Sequence, residues 1–365
     1  MKKYKVKIIG AGSIGNHLAH ASRTLGFDVV MCDTDNNALD RTKNLIYPSR
    51  YGAWDEKISL HNVKDVPNGN FDIIFIGTPP SSHLKIASKS LHEKPKAIVI
   101  EKPVTTPDLK QIINFENQRK LFKDISIFVG YDHVVGKASK FVSHIIKENK
   151  IKKIISLEVK IREHWGGIFK AHSWLSGPEE SYLGLWKQGG GAISEHSHGI
   201  NIWQHFANEL NLGLISKVSS VINYHKNRNL NYDEIGLINV KTTNGFIGKI
   251  TQDVLTSPSE KKASIFFKQG FIEWYCNYDK NSDAVFWKIN GNKKKKIFKK
   301  KRPDDFIEEI KHICKSFENK TKSPIDIENG YNTMLVIAAA HLSNAKNKYV
   351  NINYNKRFSK KAFIC

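Results

Sequence analysis

Along the first 130 or so positions, apolar residues fall into short unbroken runs, separated by stretches in which they recur every three or four places. Runs of four to six apolar residues read as strands buried on both faces, and the longer periodic stretches read as helices lying on them. Lys5–Ile9 is the first predicted strand. Ile14–Leu25 follows as a helix, with Leu18, Ala21, Ser22 and Leu25 on related faces, and Phe27–Cys32 is the second strand. "FDIIFIG" gives a further strand, a turn at Thr78–Pro80 and then a helix capped by Ser81 or Ser82. "KAIVIEKP" is another buried strand, "TTPDLKQIINFENQRKL" a helix with Pro107 near its first turn, and "ISIFVGYDH" a last strand. Strand and helix in alternation predict a parallel, doubly wound sheet with its ligands at the carboxyl ends of the strands.

After a crossing helix over Gly136–Lys150 the period changes to two. "KIISLEVKIREHW", "VSSVINYH", "EIGLINVKTTNGFIGKITQDV", "KASIFFKQGFIEWYCNY" and "AVFWKING" read as strands, with a hairpin turn at Thr243–Phe246. The expected fold class is α/β: an N-terminal doubly wound domain over residues 1–132, and a C-terminal α+β domain over 133–365 with a large, mostly antiparallel sheet. "MLVIAAAHL", Met334–Leu342, reads as a buried helix. "KKKKIFKKKRP", Lys293–Pro303, reads as an exposed hairpin arm or edge strand whose lysines discourage aggregation.

Composition agrees with two packed domains. The chain has 365 residues, 40% of them hydrophobic and 10% aromatic, more than one core usually holds. Four scattered cysteines, Cys32, Cys276, Cys314 and Cys365, make neither a disulfide framework nor a zinc ribbon, and fit a reducing cytoplasm. No apolar run approaches the ~18 residues needed to cross a bilayer, and the basic start gives no convincing signal peptide. The formal net charge is +22. Its lysines are spread among Asn and Ile, so a compositional bias explains it better than a nucleic-acid or membrane partner.

The chemistry begins at "KVKIIGAGSIG". Gly10, Gly12 and Gly15 stand in G-x-G-x-x-G spacing between the first strand and the first helix. Such glycines permit a tight turn, backbone approach to a pyrophosphate, and close helix–strand packing. Asp33 ends the second strand 18 residues beyond Gly15, where a carboxylate accepts from ribose hydroxyls and repels a 2′-phosphate. NAD is therefore favoured over NADP, with Arg41 the one nearby residue that points the other way.

In the second half, "QGGGAISEHSHGINIWQHF" joins three glycines to Glu195, His196, His198, Asn201 and His205. Two histidines two apart diverge on a helix, so no metal is expected; His196 and His205 fit structural roles. Glu195 and His198, three apart, share a face if the helix is continuous. "REHWGGIFKAHSWLSGPEESYLGLWKQ" lacks periodicity. It offers Arg162, His164, Trp165, His172 and Lys187 either to cover a polar ring or to pack as a structural loop.

On "GAGSIG", "IGTPPSSH", "EKP", "GYDH", the "GGG" run and the closing "SPIDIENGYNTMLVIAAAHLSNAKNK", the chain resembles the Gfo/Idh/MocA oxidoreductases over nearly its whole length. The resemblance implies an N-terminal Rossmann domain and an NAD(P)-dependent enzyme. Its substrate would be a sugar, cyclitol or nucleotide-linked sugar; a non-sugar carbonyl or imine reductase and a non-catalytic NAD sensor are the alternatives. It places Lys102 beside nicotinamide and substrate, with a cis Lys102–Pro103 bond, and makes His198 the acid/base. The family commonly spaces its acid four residues before that histidine, where this chain has three between Glu195 and His198. The expected cofactor residues are Gly10, Gly12, Ser13, Ile14, Gly15, Asp33, Thr78, Pro79, His83, Glu101 and Lys102. The expected substrate residues are Lys102, Tyr131, Arg162, His164, Trp165, Glu195, His198 and Asn201, with Lys102, His198 and Glu195 catalytic. A homodimer or homotetramer is expected.

Overall fold

A computed structural model of the chain describes residues 2–172, 174–356 and 358–365. Two compact units are present. The first runs to Thr105, resumes over Gln111–Asp132 and takes in Arg302–Ile327; the second holds Thr106–Lys110, His133–Lys301 and Glu328–Cys365.

The first unit alternates β1 (Lys5–Ile9), α1 (Ser13–Thr24), β2 (Asp28–Asp33), α2 (Asn36–Arg41), a π-turn at Thr42–Ile46, α3 (Tyr47–Tyr51), β3 (Ile58–Asn62), β4 (Ile73–Ile76), α4 (His83–Leu91), β5 (Ala97–Ile100), α5 (Ile112–Arg119) and β6 (Ser126–Val129). The six strands pair in parallel in the order β3-β2-β1-β4-β5-β6. Every residue of β4 and β5 is buried, as a sheet covered on both faces requires. The strand order reverses between β1 and β4, which opens a crevice at their carboxyl ends.

Two local expectations fail. Ser82 stands at the N-cap of α4 but makes no side-chain cap bond; its hydroxyl turns back to the Pro79 carbonyl at 2.8 Å and to Thr78 Oγ1 at 2.7 Å. Pro107 is not in the first turn of the following helix, which begins only at Ile112. Asp108 takes the Thr106 hydroxyl and the Lys110 amide, and Leu109 and Gln111 adopt positive φ. Such local side-chain bonds compete with helix formation.

The second unit follows with α6 (Asp132–Val135), α7 (Lys137–Glu148), β7 (Ile154–Arg162), α8 (Trp165–Ala171), α9 (Gly191–Glu195), α10 (His198–Glu209), β8 (Ile215–Lys226), β9 (Asn231–Thr242), β10 (Ile247–Asp253), β11 (Glu260–Phe267), β12 (Gly270–Asp279), β13 (Ser282–Ile289) and β14 (Asn292–Lys299). The chain ends with α11 (Asp304–Glu318), α12 (Ile327–Lys346), β15 (Val350–Ile352) and β16 (Phe363–Ile364). Ten strands form one sheet, β14-β13-β12-β11-β7-β10-β9-β8-β15-β16, in which β7 and β10 pair in parallel. The lysine-rich β14 is its edge strand, as the charge run predicts.

Helix α10 lies on this sheet's inner face. Gly199 and Gly248 allow the approach: a methyl at Gly199 would press on Ile161, and one at Gly248 would meet the ring of Trp203. The Trp203 indole donates to the Leu157 carbonyl at 3.0 Å. Met334–Ala340 of α12 are buried, and no helix among the described residues is long and apolar enough to cross a membrane.

Candidate active site

In the first unit the glycine-rich turn has the geometry a dinucleotide requires. Gly10 sits at φ +114°, and a Cβ there would be 2.5 Å from the Gly77 carbonyl oxygen. Gly12 caps α1, and a Cβ on it would meet no atom within 4 Å. The space in front of the helix is therefore open, and the N–H groups of its first turn have no partners within the helix. Asp33 receives the Ala11 amide on Oδ2 at 2.8 Å and the Asp35 amide on Oδ1 at 3.0 Å. A carboxylate with about four lone-pair sites keeps capacity for ribose hydroxyls. Arg41 is turned to Asp35 at 3.5 Å. These features fit a dinucleotide.

The loops after β4 and β5 are stapled together. His83 is fully buried between the carbonyls of Thr78 (2.6 Å) and Pro103 (2.9 Å). Burial outweighs these acceptors and pushes its pKa down to about 4. Pro79 precedes the short turn that leads into α4. Glu101 is buried against Gly130, where any side chain would collide with its carboxylate. Lys102 stands half-exposed beyond β5, and its peptide bond to Pro103 is cis. Tyr131, beyond β6, is fully buried.

In the second unit the glycine-led segment is not one helix. Gly189 and Gly191 take φ of +93° and +77°, and α9 runs only to Glu195. His196 and Ser197 break the helix before α10 starts at His198. The cause is Gln252 of β10, whose fully buried amide donates to the carbonyls of Ile193 and His196. A side chain inserted into the ladder ends it. Glu195 and His198 thus end one helix and begin the next, so the expected shared face of a single helix does not exist. Asp233 of β9 holds the start of α9, accepting the Ile193 amide at 2.6 Å, and its carboxylate occupies the space beside Gly191.

His198 stacks on His133 of α6, with ring centroids 4.2 Å apart and 17° between planes. Asp132, His133 and His198 together bring one potential ligand atom each to within 4.8 Å of one another. Behind His133 lie Cys276 Sγ at 3.6 Å and, 3.7 Å from that sulfur, Lys300 Nζ, itself paired to Asp283 at 2.8 Å.

The remaining expected site residues are held by structure. Asn201 is buried and donates to Thr333 Oγ1 at 3.4 Å. His205 is half-buried, and its desolvation pushes its pKa down to about 4. Arg162 grips Asp253 at 2.5 Å; burial would raise that carboxyl, but Arg162 and the Thr256 donors hold it low. His164 caps α8 by accepting the Gly166 amide. Trp165 packs with Leu183, Ala192, Leu230, Tyr232 and Val254, so the aromatic loop has a core of its own. His133, Asp233 and Gln252 escape sequence reasoning. His133 stands in the quoted "GYDH", but the other two act across strand pairings that no local pattern reports.

Residues 4–122 match the model of an oxidoreductase family with an NAD-binding Rossmann fold. No curated protein matches the chain. Among solved structures it is similar to a levoglucosan dehydrogenase in complex with NADH and L-sorbose, at 16% identity and a TM-score of 0.75 over 97% of this chain and 100% of the other. It is similar to an aldose–aldose oxidoreductase from Caulobacter crescentus (12% identity, TM-score 0.75, 96% and 100%). An oxidoreductase from Agrobacterium radiobacter in complex with NAD+, L-tartaric acid and magnesium is also similar (17%, 0.71, 96% and 98%). At these identities the likeness establishes the fold.

Proposed function

We propose that the chain, whose residues 4–122 match the model of the Gfo/Idh/MocA oxidoreductases with an NAD-binding Rossmann fold, is an NAD-dependent dehydrogenase or reductase acting on a CH–OH or carbonyl group of a sugar-like small molecule. The observation that carries the reading is the break between α9 and α10. It puts Glu195 and His198 at adjoining helix ends, directly after the Gly189–Gly191 turn, with His198 stacked on a second imidazole. Oxidising an alcohol requires a base near neutrality for the hydroxyl proton, and imidazole is suited to it.

Bound NAD supplies the hydride acceptor, and NADH the donor in reverse. Gly10, Gly12, Ser13, Ile14 and Gly15 receive the pyrophosphate, and Asp33 the adenosine ribose. Thr78, Pro79, His83 and Glu101 shape the loops beneath. His198 takes the hydroxyl proton at a ring nitrogen, or returns it to the carbonyl oxygen. Lys102 donates to the reacting oxygen, Glu195 orients or tunes, and Asn201 fixes α10 to α12. Arg162 and His164, which keep solvent-accessible surface, are the remaining candidates to meet the substrate. NADH-bound sugar dehydrogenases among the structural neighbours support a polyol or sugar substrate.

All four cysteines are unpaired, which agrees with work in a reducing cytoplasm. The outer face of the ten-stranded sheet leaves Val221 and Ile247 each 69% exposed, which supports a homodimer or homotetramer through that face. The test of function is NAD reduction, followed at 340 nm, across a panel of sugars, cyclitols, sugar acids and nucleotide sugars. A protein that binds NADH yet turns over none of them in either direction sinks the enzymatic reading and leaves a sensor.

A further inference from the structure

The glycine-rich turn is gripped from behind by residues outside it. Thr42 Oγ1 donates to the Ala11 carbonyl at 2.6 Å. Asn16 Nδ2 donates to the Gly12 carbonyl at 2.9 Å and to Thr42 Oγ1 at 3.1 Å. Asn16 and Thr42 are both fully buried. Arg50, from α3, closes the row: Nη1 donates to the Ser13 carbonyl at 2.9 Å and Nη2 to the Ser13 hydroxyl at 2.8 Å. Three consecutive carbonyls are thus held on one side.

In a trans peptide the carbonyl and the following N–H point in opposite directions. Holding the oxygens of Ala11, Gly12 and Ser13 back therefore turns the N–H groups of Gly12, Ser13 and Ile14 forward. These are the donors of the first turn of α1, which lack intrahelical partners and carry the positive end of the helix dipole. Arg50 is the charged member of the clamp; burial is the largest cause that weakens its hold on its proton, with Tyr51 opposing that effect and a second guanidinium, Arg302, adding to it. A cation brought to a helix N-terminus adds to a positive field that an anion relieves.

We propose that Arg50 is a positioning residue for the dinucleotide pyrophosphate: with Thr42 and Asn16 it presets the amides of Gly12, Ser13 and Ile14 as donors, and it adds positive charge behind them. This goes beyond the glycine motif, because the preset cradle depends on a segment some 30 residues downstream that carries no recognised phosphate-binding pattern.

The test is equilibrium titration of the full-length protein, wild type and Arg50→Met, with NADH, with ADP-ribose and with adenosine, alongside thermal unfolding. The expected result is a rise of about ten- to hundredfold in Kd for NADH and ADP-ribose, which contain the pyrophosphate, with adenosine binding unchanged. Arg50→Lys recovers part of the loss, since it returns the charge but not the two-pronged grip on Ser13. If Arg50→Met does not fold, Arg50→Lys carries the same comparison between ADP-ribose and adenosine. A folded variant with unchanged NADH affinity overturns the proposal. So does an equal loss for adenosine and ADP-ribose, which marks a general structural role. Wild-type protein that binds no NADH overturns the proposal together with the cofactor assignment.

Discussion

The side-chain amide of Gln252 donates to the carbonyl of His196, and it is this bond, with its companion to Ile193, that ends α9 and lets α10 begin at His198. The direction of the histidine is thereby set by a residue of the sheet. Gln252→Glu replaces a buried donor with a carboxylate facing two carbonyl oxygens. It is expected to cost roughly 2–5 kcal/mol in denaturant unfolding and to reduce turnover more than NADH binding. Unchanged stability and turnover would show that the helix break does not depend on this bond.

His198→Ala and Lys102→Ala test the proposed chemistry directly. Each is expected to lower kcat by about 10²–10⁴-fold, the usual contribution of a general acid or base, on the best substrate of the panel. NADH affinity should hold for His198→Ala. Near-normal turnover in either variant removes the assigned role.

Two glycines separate cofactor space from folding constraint. Gly12 has ordinary φ and an empty Cβ position, so Gly12→Ala should unfold at the wild-type temperature while losing tenfold or more in NADH affinity, because its methyl enters the phosphate space. Gly191 sits at φ +77° with the Asp233 carboxylate where a Cβ would be. Gly191→Ala should instead destabilise by about 1–3 kcal/mol and leave NADH affinity unaltered. Calorimetry and NADH titration on both variants separate the two effects.

Asp233 predicts a pH dependence. Burial, opposed by the Ile193 amide, pushes its carboxyl from the ordinary 3.8 up to about 7. The unfolded chain releases this proton near pH 4 and the folded chain only near 7, so between those values the folded state binds more protons. Stability is therefore expected to fall as pH rises from about 4 to about 7, by at most roughly 4 kcal/mol from this residue, and to stop changing on its account above that. Asp233→Asn should flatten this part of the profile. An unaltered slope in Asp233→Asn assigns the dependence to other groups.

Much of the first unit is legible in sequence because its rules are local. Apolar runs of four residues between polar turns, alternating with helical stretches, read as strands buried on both faces, and β4 and β5 are such runs. The G-x-G-x-x-G spacing needs no partner to be recognised, since each glycine answers a backbone demand within the same few residues. The failures are also local in origin. Asp108 and Ser82 use their side chains on nearby groups other than the expected cap, which sequence spacing does not reveal.

The sequence by itself therefore determined the doubly wound sheet, the cofactor turn, the carboxylate at the end of β2 and the antiparallel character of the second half, because hydrophobic period and turn chemistry act over a few residues. Only the tertiary structure decided where the glycine-led helix breaks, that His198 stacks on His133, and that Arg50, Thr42 and Asn16 stand behind the phosphate turn. Each of these joins residues from separate elements, and burial with hydrogen-bond satisfaction selects such partners only once the sheets have packed.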